Sequence, residues 1–178
     1  TVQALEQTGY MIDSSVASQR FDMFMSFGSF NKMNWIFSPR KPYRVSRKSI
    51  FRKGNSEILE VPLSASIMPY VGTTMRVFPK ITRLQRRLLS LETSLTGKPI
   101  VFDIHPNEFI DESNEKSENA SRSSNFIKSI LQDKIRRKLK IKNLGLKGLK
   151  IYDNEINYFS SNKFIFKTVR DYCKELEL

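Results

Sequence analysis

The sequence contains a single cysteine, a single histidine and a single tryptophan among its 178 residues. With Cys173 alone, no intrachain disulfide can form, so a disulfide-stapled scaffold is excluded. A zinc site made by this chain alone would have to combine His105 and Cys173 with carboxylates, which is a poor supply for the usual zinc ligand sets. Apolar runs are all shorter than the roughly 18 residues that a membrane-spanning helix needs. No signal peptide is recognisable, so cytoplasmic and membrane-peripheral locations both stay open.

Apolar residues make up 39% of the chain and charged residues 27%, which excludes collagen and wholesale disorder. The length predicts a single domain over residues 1–178. Residues 111–125 are polar and low in complexity, and they predict a mobile loop within that domain.

Acidic residues are scarce, with 18 of them against 30 basic residues and a formal net charge of +12. Basic residues concentrate in 32–53 and 128–150, whereas 103–118 is acidic. Such basic stretches attract phosphates, acidic glycans or anionic membrane headgroups, but they also serve solubility alone. A nucleic-acid partner is not favoured, because no known reader motif and no pattern of stacking aromatics accompanies the basic residues.

Hydrophobic periodicity predicts short strands that alternate with helices. The clearest helix covers 81–95, where apolar residues recur at spacings of three and four. We also predict helices over 2–8 and 169–176, of which the second is capped by Thr168, and an amphipathic helix over 126–141. One or two helical turns are predicted within 44–51. The predicted strands cover 10–16, 35–37, 58–63, 100–104 and 163–166. This alternation favours an α/β fold with a mostly parallel sheet or barrel wall. A closed (β/α) barrel typically needs about 250 residues, so the chain is too short for a complete one.

His105 follows directly on the apolar run 100–104, at the carboxyl end of a predicted buried strand. In parallel α/β folds, catalytic groups gather at these strand ends, and histidine is the usual general acid or base near neutral pH. Asp103 and Glu108 lie close enough in sequence to orient the ring. The alternative is a histidine that only hydrogen-bonds the next loop.

A second strand-end loop, residues 38–44, carries two arginines, a tyrosine and two prolines. Arginine can hold a carboxylate through two parallel hydrogen bonds, so this loop could bind an acidic group. The alternative is a basic loop that is simply solvated.

Taken in order, these residues resemble a known family. Arg40-x-Pro42-Tyr43, followed about sixty residues later by Ile100-Val-Phe-x-Ile104-His105, resembles the third and fifth motifs of the polysaccharide deacetylases, the NodB-type carbohydrate esterases. Residues 9–15 are similar to the strand before the third motif, and 164–172 to the closing strand and helix. The resemblance spans nearly the whole chain. It implies an α/β fold in which residues 1–178 form the C-terminal portion of a deformed (β/α) barrel, with mostly parallel strands.

The resemblance also implies an activity, the N-deacetylation of an amino-sugar glycan by amide-bond hydrolysis. His105 would match the general acid toward the leaving amine, and Arg40 the arginine that positions a catalytic-base aspartate. Tyr43 would match the residue whose backbone N–H binds the oxyanion. Phe102 and Ile104 would match apolar positions near the acetyl methyl. The family uses a divalent metal, commonly zinc.

The sequence departs from the family in its metal-binding part. The T-F-D-D and H-S/T-x-x-H motifs are absent, and so is D-x-x-D-W between Tyr43 and His105. We therefore expect that this chain alone binds no metal and catalyses no deacetylation, and that zinc would bind with a second chain or segment. Truncation, gene splitting and evolutionary loss all remain open as the origin of this deficit. Three interpretations follow: an enzyme portion awaiting its metal-binding half, a non-catalytic module that binds an acetylated amino-sugar glycan, or a basic binder of nucleic acid or another anionic polymer.

Overall fold

The computed structural model describes residues 2–18, 34–66, 68–111, 138–139 and 141–176. The chain divides into two compact units. The first unit consists of Thr1–Tyr70, Lys80–Asp103 and Phe164–Leu178, and the second of Val71–Pro79 and Ile104–Lys163.

The described residues form six α-helices, four strands and one 3-10 helix. In chain order the elements are α1 (Val2–Gln7), β1 (Ile12–Asp13), α2 (Asn34–Phe37), β2 (Tyr43–Ser46), β3 (Ser49–Lys53), β4 (Leu59–Glu60), α3 (Gly72–Val77), α4 (Pro79–Thr96), the 3-10 helix (Pro106–Phe109), α5 (Leu146–Ser161) and α6 (Val169–Glu175). Within these described ranges, no helix is both long and apolar enough to cross a bilayer.

The four strands form one sheet in the order β1-β4-β2-β3. β1 runs parallel to β4, whereas β2 runs antiparallel to both β4 and β3. Among the described residues the sheet is open, with β1 and β3 as its edges. The prediction of a mostly parallel, deformed (β/α) barrel is therefore wrong. The physical reason is the connection between β2 and β3, because a two-residue turn allows only an antiparallel pairing.

Several predicted strands differ from the structure. Residues 35–37 belong to the short helix α2, and the predicted helical turns within 44–51 are instead the hairpin of β2 and β3. Residues 100–104 lie outside every strand of the sheet, although Val101 exchanges hydrogen bonds with Ser64: its N–H donates to Ser64 Oγ at 3.0 Å, and its carbonyl accepts from Ser64 N at 2.8 Å. Residues 163–166 form no strand either.

Two apolar clusters pack on β4, because successive side chains of a strand point to opposite faces. Ile58 belongs to a cluster with Val2, Tyr43 and Val45, against which Leu5 and Ile50 pack. Leu59 and Val61 belong to the other cluster, which contains Cys173 and is packed by Ile12, Val101, Val169 and Tyr172. The helices predicted over 2–8 and 169–176 are confirmed as α1 and α6. Thr168 caps α6 as predicted, since its Oγ1 accepts from the Asp171 N–H at 3.1 Å.

Helix α4 confirms the prediction over 81–95, but its apolar row is its exposed side. The buried side chains of α4 are Thr82, Gln85 and Leu89. The exposed ones include Ile81, Leu84, Leu88, Leu91 and Leu95, which are between 37% and 76% accessible. We call these five residues the apolar row of α4. The helix is followed by Gly97 at φ 66, a left-handed conformation that suits glycine at a helix end.

The second unit is built around the buried Glu108 of the 3-10 helix. Its Oε1 accepts from the Thr73 hydroxyl at 2.6 Å and lies 3.8 Å from Arg76 Nε. Asn143 donates to the Arg76 carbonyl at 2.8 Å, and this contact ties α3 to the residues before α5. Residues 112–125 of the predicted mobile loop and most of the predicted helix 126–141 lie outside the described residues.

Candidate functional site

Three neighbouring strands of the first unit place Asp13, Glu60 and Tyr43 side by side. Asp13 is the register partner of Glu60 in the parallel pair, and Tyr43 is the partner of Glu60 in the antiparallel pair. Side chains directly opposite each other on adjacent strands share one face of a sheet. The sheet thus assembles two carboxyl groups and a phenol in one row, which we call the acidic row.

Glu60 is fully buried at the centre of the acidic row. Its Oε1 accepts from the Val16 N–H at 2.9 Å, and its Oε2 has no hydrogen-bond partner among the described residues. Burial raises the pKa of Glu60, and the neighbouring Asp13 charge raises it further against the opposing effect of the Val16 N–H. The resulting pKa is about 8, so Glu60 carries a proton at neutral pH.

Asp13 accepts two local hydrogen bonds. Its Oδ1 accepts from the Ser14 N–H at 2.9 Å, and its Oδ2 accepts from the Ser15 hydroxyl at 2.9 Å. The Asp13 charge on the neighbouring strand helps Glu60 to keep its proton. Because Glu60 is fully buried, it can store this proton in the sheet but has no open path to a large substrate.

Tyr43 is held on the same face by its hydroxyl, which donates to the Ile50 carbonyl at 2.6 Å. Burial, and then the charges of Glu60 and Asp13, raise the pKa of this phenol well above its ordinary value, so it stays protonated. The backbone of Tyr43 belongs to the sheet ladder. Val45 N donates to Ile58 O at 3.1 Å, and hydrogen-bonded pairs recur every second residue, so the Tyr43 N–H points toward Glu60 of β4.

Arg40 lies in the loop before β2 and holds a carboxylate with two nitrogens. Its Nε and Nη2 donate to the two oxygens of Glu92 on α4 at 2.7 and 2.5 Å. Lys98 donates to the same carboxylate at 3.2 Å. Burial alone would raise the pKa of Glu92, but Arg40 and Lys98 outweigh it, and the pKa lies below its usual value. The structure thus gives Arg40 the bidentate geometry expected from its side chain, with a partner from its own chain.

The other candidates from the sequence divide between the two units. Phe102 is half-buried in the first unit, where its ring meets Tyr70 edge-on at 6.0 Å. Ile104 and His105 belong to the second unit. Ile104 lines a small cavity of about 10 Å³, room for about one water molecule, together with Met75, Phe109 and Tyr152.

His105 is exposed and precedes the 3-10 helix, where its carbonyl accepts from the Glu108 N–H at 2.9 Å. The Glu108 carboxylate is engaged by Thr73 and Arg76, and burial lowers the pKa of Arg76 while the Glu108 charge raises it. We expected Glu108 to orient the His105 imidazole, but the carboxylate contacts Thr73 and Arg76 of α3.

Within the described ranges, no group of three or more His, Cys, Asp or Glu residues is placed to hold a metal ion. His105 and Cys173 belong to different units. The described residues therefore do not fit a zinc site.

Comparisons with models of protein families, with curated proteins and with solved structures find no match to this chain. The resemblance to polysaccharide deacetylases thus stands on the quoted residues of the sequence alone. The sequence interpretation missed the role of Glu60 and the partner of Arg40. The available signal for Glu60 was a single acid inside the apolar run 58–63, at a position where a buried strand normally carries an apolar residue.

Proposed function

We propose that this chain is a polysaccharide deacetylase-like protein that contributes to hydrolysis of the N-acetyl amide bond of an amino-sugar glycan. The observation that carries the proposal is the bidentate contact of Arg40 with a carboxylate. A guanidinium that binds a carboxylate through two nitrogens can hold a catalytic-base aspartate in the same way, and Arg40 lies in the motif Arg40-x-Pro42-Tyr43. The order of the other motifs in the sequence, from residues 9–15 to 164–172, supports the same assignment, whereas the strands that the resemblance implies at 100–104 and 163–166 are not strands of the described sheet.

In this proposal the Arg40 guanidinium exchanges Glu92 for an aspartate of the supplied segment and holds that base in position. The aspartate takes a proton from a water molecule, whose oxygen attacks the acetyl carbonyl carbon and forms the new C–O bond. By the resemblance, His105 matches the general acid that protonates the nitrogen as the C–N bond breaks, which releases acetate and a free amine. The Tyr43 N–H stays in the ladder with β4, so the proposal assigns no oxyanion contact to it. In this proposal a second chain or segment carries the metal ligands, since the described part of the chain places no group of three or more His, Cys, Asp or Glu residues to hold an ion.

A non-catalytic glycan-binding module is the second candidate. It is favoured by the absence of the T-F-D-D and H-S/T-x-x-H motifs from the sequence, because a module that only binds the glycan needs no metal ligands. The two candidates share the substrate class and differ in turnover.

The deciding experiment supplies the missing half. The chain is mixed or co-expressed with a segment that carries T-F-D-D and H-S-x-x-H motifs, in the presence of zinc, and acetate release from N-acetylglucosamine oligomers is measured. We expect no release by the chain alone and release by the combination. His105→Gln should lower kcat by about 10²–10⁴-fold, the usual contribution of general acid catalysis.

Asn107→Gln is the matched control, since this exposed neighbour of His105 has no assigned role. Oligomer binding at moderate salt without acetate release would replace the enzyme by the glycan-binding module. Binding that collapses steeply with salt, whatever the polymer, would favour the basic anionic-polymer binder instead. Turnover by the purified chain alone, or a zinc content near one per chain, would contradict the proposal that a second chain or segment supplies the metal site.

A further inference from the structure

The orientation of α4 in the first unit is fixed by polar contacts on its inner side. The buried Gln85 donates through Nε2 to the Met68 carbonyl at 2.7 Å. Glu92, two turns further on, is held by Arg40 and Lys98. These contacts would be lost if the helix rotated about its axis. These contacts therefore hold α4 in the orientation in which its apolar row faces outward.

The apolar row is continuous over four turns, because Ile81, Leu84, Leu88, Leu91 and Leu95 follow one another at spacings of three and four. Isolated exposed leucines are normal on a protein surface, but an aligned row of five on one helix marks an interaction site. With 18 residues, α4 extends over about 27 Å, so the row is long enough to lie along a flat surface.

Three cations lie along one flank of the apolar row. Lys80, Arg83 and Arg87 are exposed and also recur at spacings of three and four, so they form a second row, the basic row of α4. Lys80 precedes Leu84 by four residues and Arg87 precedes Leu91 by four, which places these two cations beside leucines of the apolar row. The combination of an aliphatic row with a cationic flank is the pattern of helices that lie in an anionic membrane interface.

We propose that the outward face of α4 docks on an anionic lipid membrane surface. The apolar row enters the boundary between headgroups and acyl chains, while the basic row reaches lipid phosphates and carboxylates from the side. The net charge of +12 attracts the chain to such a surface. A second copy of the chain fits less well, because each copy carries the same net charge of +12. This proposal does not depend on the deacetylase assignment.

The test is vesicle binding by the full chain. Sedimentation with phosphatidylcholine vesicles is compared with and without phosphatidylserine, for the wild type and for a variant combining Leu84→Gln, Leu88→Gln and Leu91→Gln. We expect the wild type to bind the anionic vesicles and the variant to bind them at least about tenfold more weakly. Arg83→Gln with Arg87→Gln should also weaken binding, by about fivefold for each charge removed.

Matched controls separate this face from general stickiness and general charge. Leu146→Gln with Leu149→Gln and Ile165→Gln removes three aliphatic side chains that are exposed elsewhere, and Lys147→Gln with Lys150→Gln removes two charges elsewhere. Both controls should keep nearly wild-type binding, and circular dichroism should show that all variants stay folded. The proposal is overturned if the wild type ignores anionic vesicles or if controls and α4 variants lose binding equally. It is also overturned if the chain forms a dimer that the triple leucine variant abolishes.

Discussion

A carboxyl group buried in a sheet keeps its proton when ionisation would place an uncompensated charge away from water. Glu60 meets this condition, because it is fully buried and its Oε2 has no hydrogen-bond partner within the described ranges. Asp13 on the neighbouring strand adds a negative charge that disfavours ionisation further. The acidic row is therefore the place where the stability of the first unit depends most directly on pH.

We expect the free energy of unfolding to fall as the pH rises from about 4.5 to about 8 and to level off above that. Between these values folded Glu60 binds a proton that the unfolded chain has released, so raising the pH favours unfolding. A tenfold difference in acid dissociation constant between the folded and unfolded chain corresponds to about 1.4 kcal/mol. Glu60→Gln, which stays neutral at all pH values, should remove most of this slope and stabilise the protein near pH 8. Urea denaturation across the pH range measures both effects.

Glu57→Gln is the control for the Glu60 prediction, since it removes an exposed carboxylate three residues away on the same segment. The control should keep the wild-type slope between pH 4.5 and 8. An unchanged slope in Glu60→Gln would show that Glu60 ionises normally in the folded chain and would contradict the acidic row as described.

Glu92 carries a second residue-scale prediction. Its carboxylate neutralises Arg40 and Lys98 at once, and Lys98 is almost fully buried. Glu92→Gln leaves two cations facing each other and should cost about 1–2 kcal/mol at pH 7. Because the pKa of Glu92 is lowered, its contribution is present above about pH 4.5 and is lost as the pH falls through the folded value.

Denaturant titrations at neutral and acidic pH, with and without added salt, measure the Glu92 effect. Glu175→Gln, which breaks the exposed pair with Lys167, should change stability by no more than about 0.5 kcal/mol. If Glu92→Gln and Glu175→Gln lower the free energy of unfolding equally, the partly buried site around Glu92 has no special electrostatic role.

At the scale of elements, the sequence predicted α1, α4 and α6 because local signals decide them. Helix α4 has its three-and-four spacing, and α6 has the Thr168 cap. The sequence could not predict which side of α4 is buried, because Gln85 and Glu92 find their partners in segments distant along the chain. The hairpin of β2 and β3 did carry a signal in the sequence, since apolar and polar residues alternate over residues 43–46, Tyr-Arg-Val-Ser.

The same limit applies to the candidate site. Arg40 could be chosen from its motif, but its partner Glu92 is 52 residues away. Glu60 becomes notable only when the pairing of three strands places it between Asp13 and Tyr43. Pairing between strands that are distant in the chain is set by tertiary packing, and a single sequence shows it only indirectly.

Gly72 at the start of α3 gives a prediction at the element scale. A Cβ at this position would overlap Glu108 Oε2, so the carboxylate would have to leave Thr73 and Arg76. Gly72→Ala should therefore destabilise the protein by about 1–3 kcal/mol, measured by thermal or urea denaturation.

The double variant Gly72→Ala with Glu108→Ala tests the cause. With the carboxylate gone, the added methyl group has room, so the alanine at 72 should cost less in the Glu108→Ala background than in the wild type. Equal costs in both backgrounds would mean that the methyl group and the carboxylate do not compete for the same space.

For the whole molecule, the two compact units predict that stability is local. Glu60→Gln at pH 8 should slow amide hydrogen exchange in the strands of the first unit and leave α5 of the second unit unchanged. Gly72→Ala should speed exchange in α3 and α5 and leave β4 unchanged. Equal changes across both units in either variant would show that the chain opens as one cooperative body.

The packing of α6 against β4 has a consequence for how the chain folds as it is made. Leu59 and Val61 share a cluster with Cys173 of α6, although more than a hundred residues separate them along the chain. At about 5–20 residues per second, a translating ribosome delivers α6 roughly 5–20 seconds after β4. During that interval the apolar face formed by Leu59 and Val61 is not covered by α6. The first unit therefore completes its core only once α6 has left the ribosome, and until then the nascent chain depends on whatever shields that face.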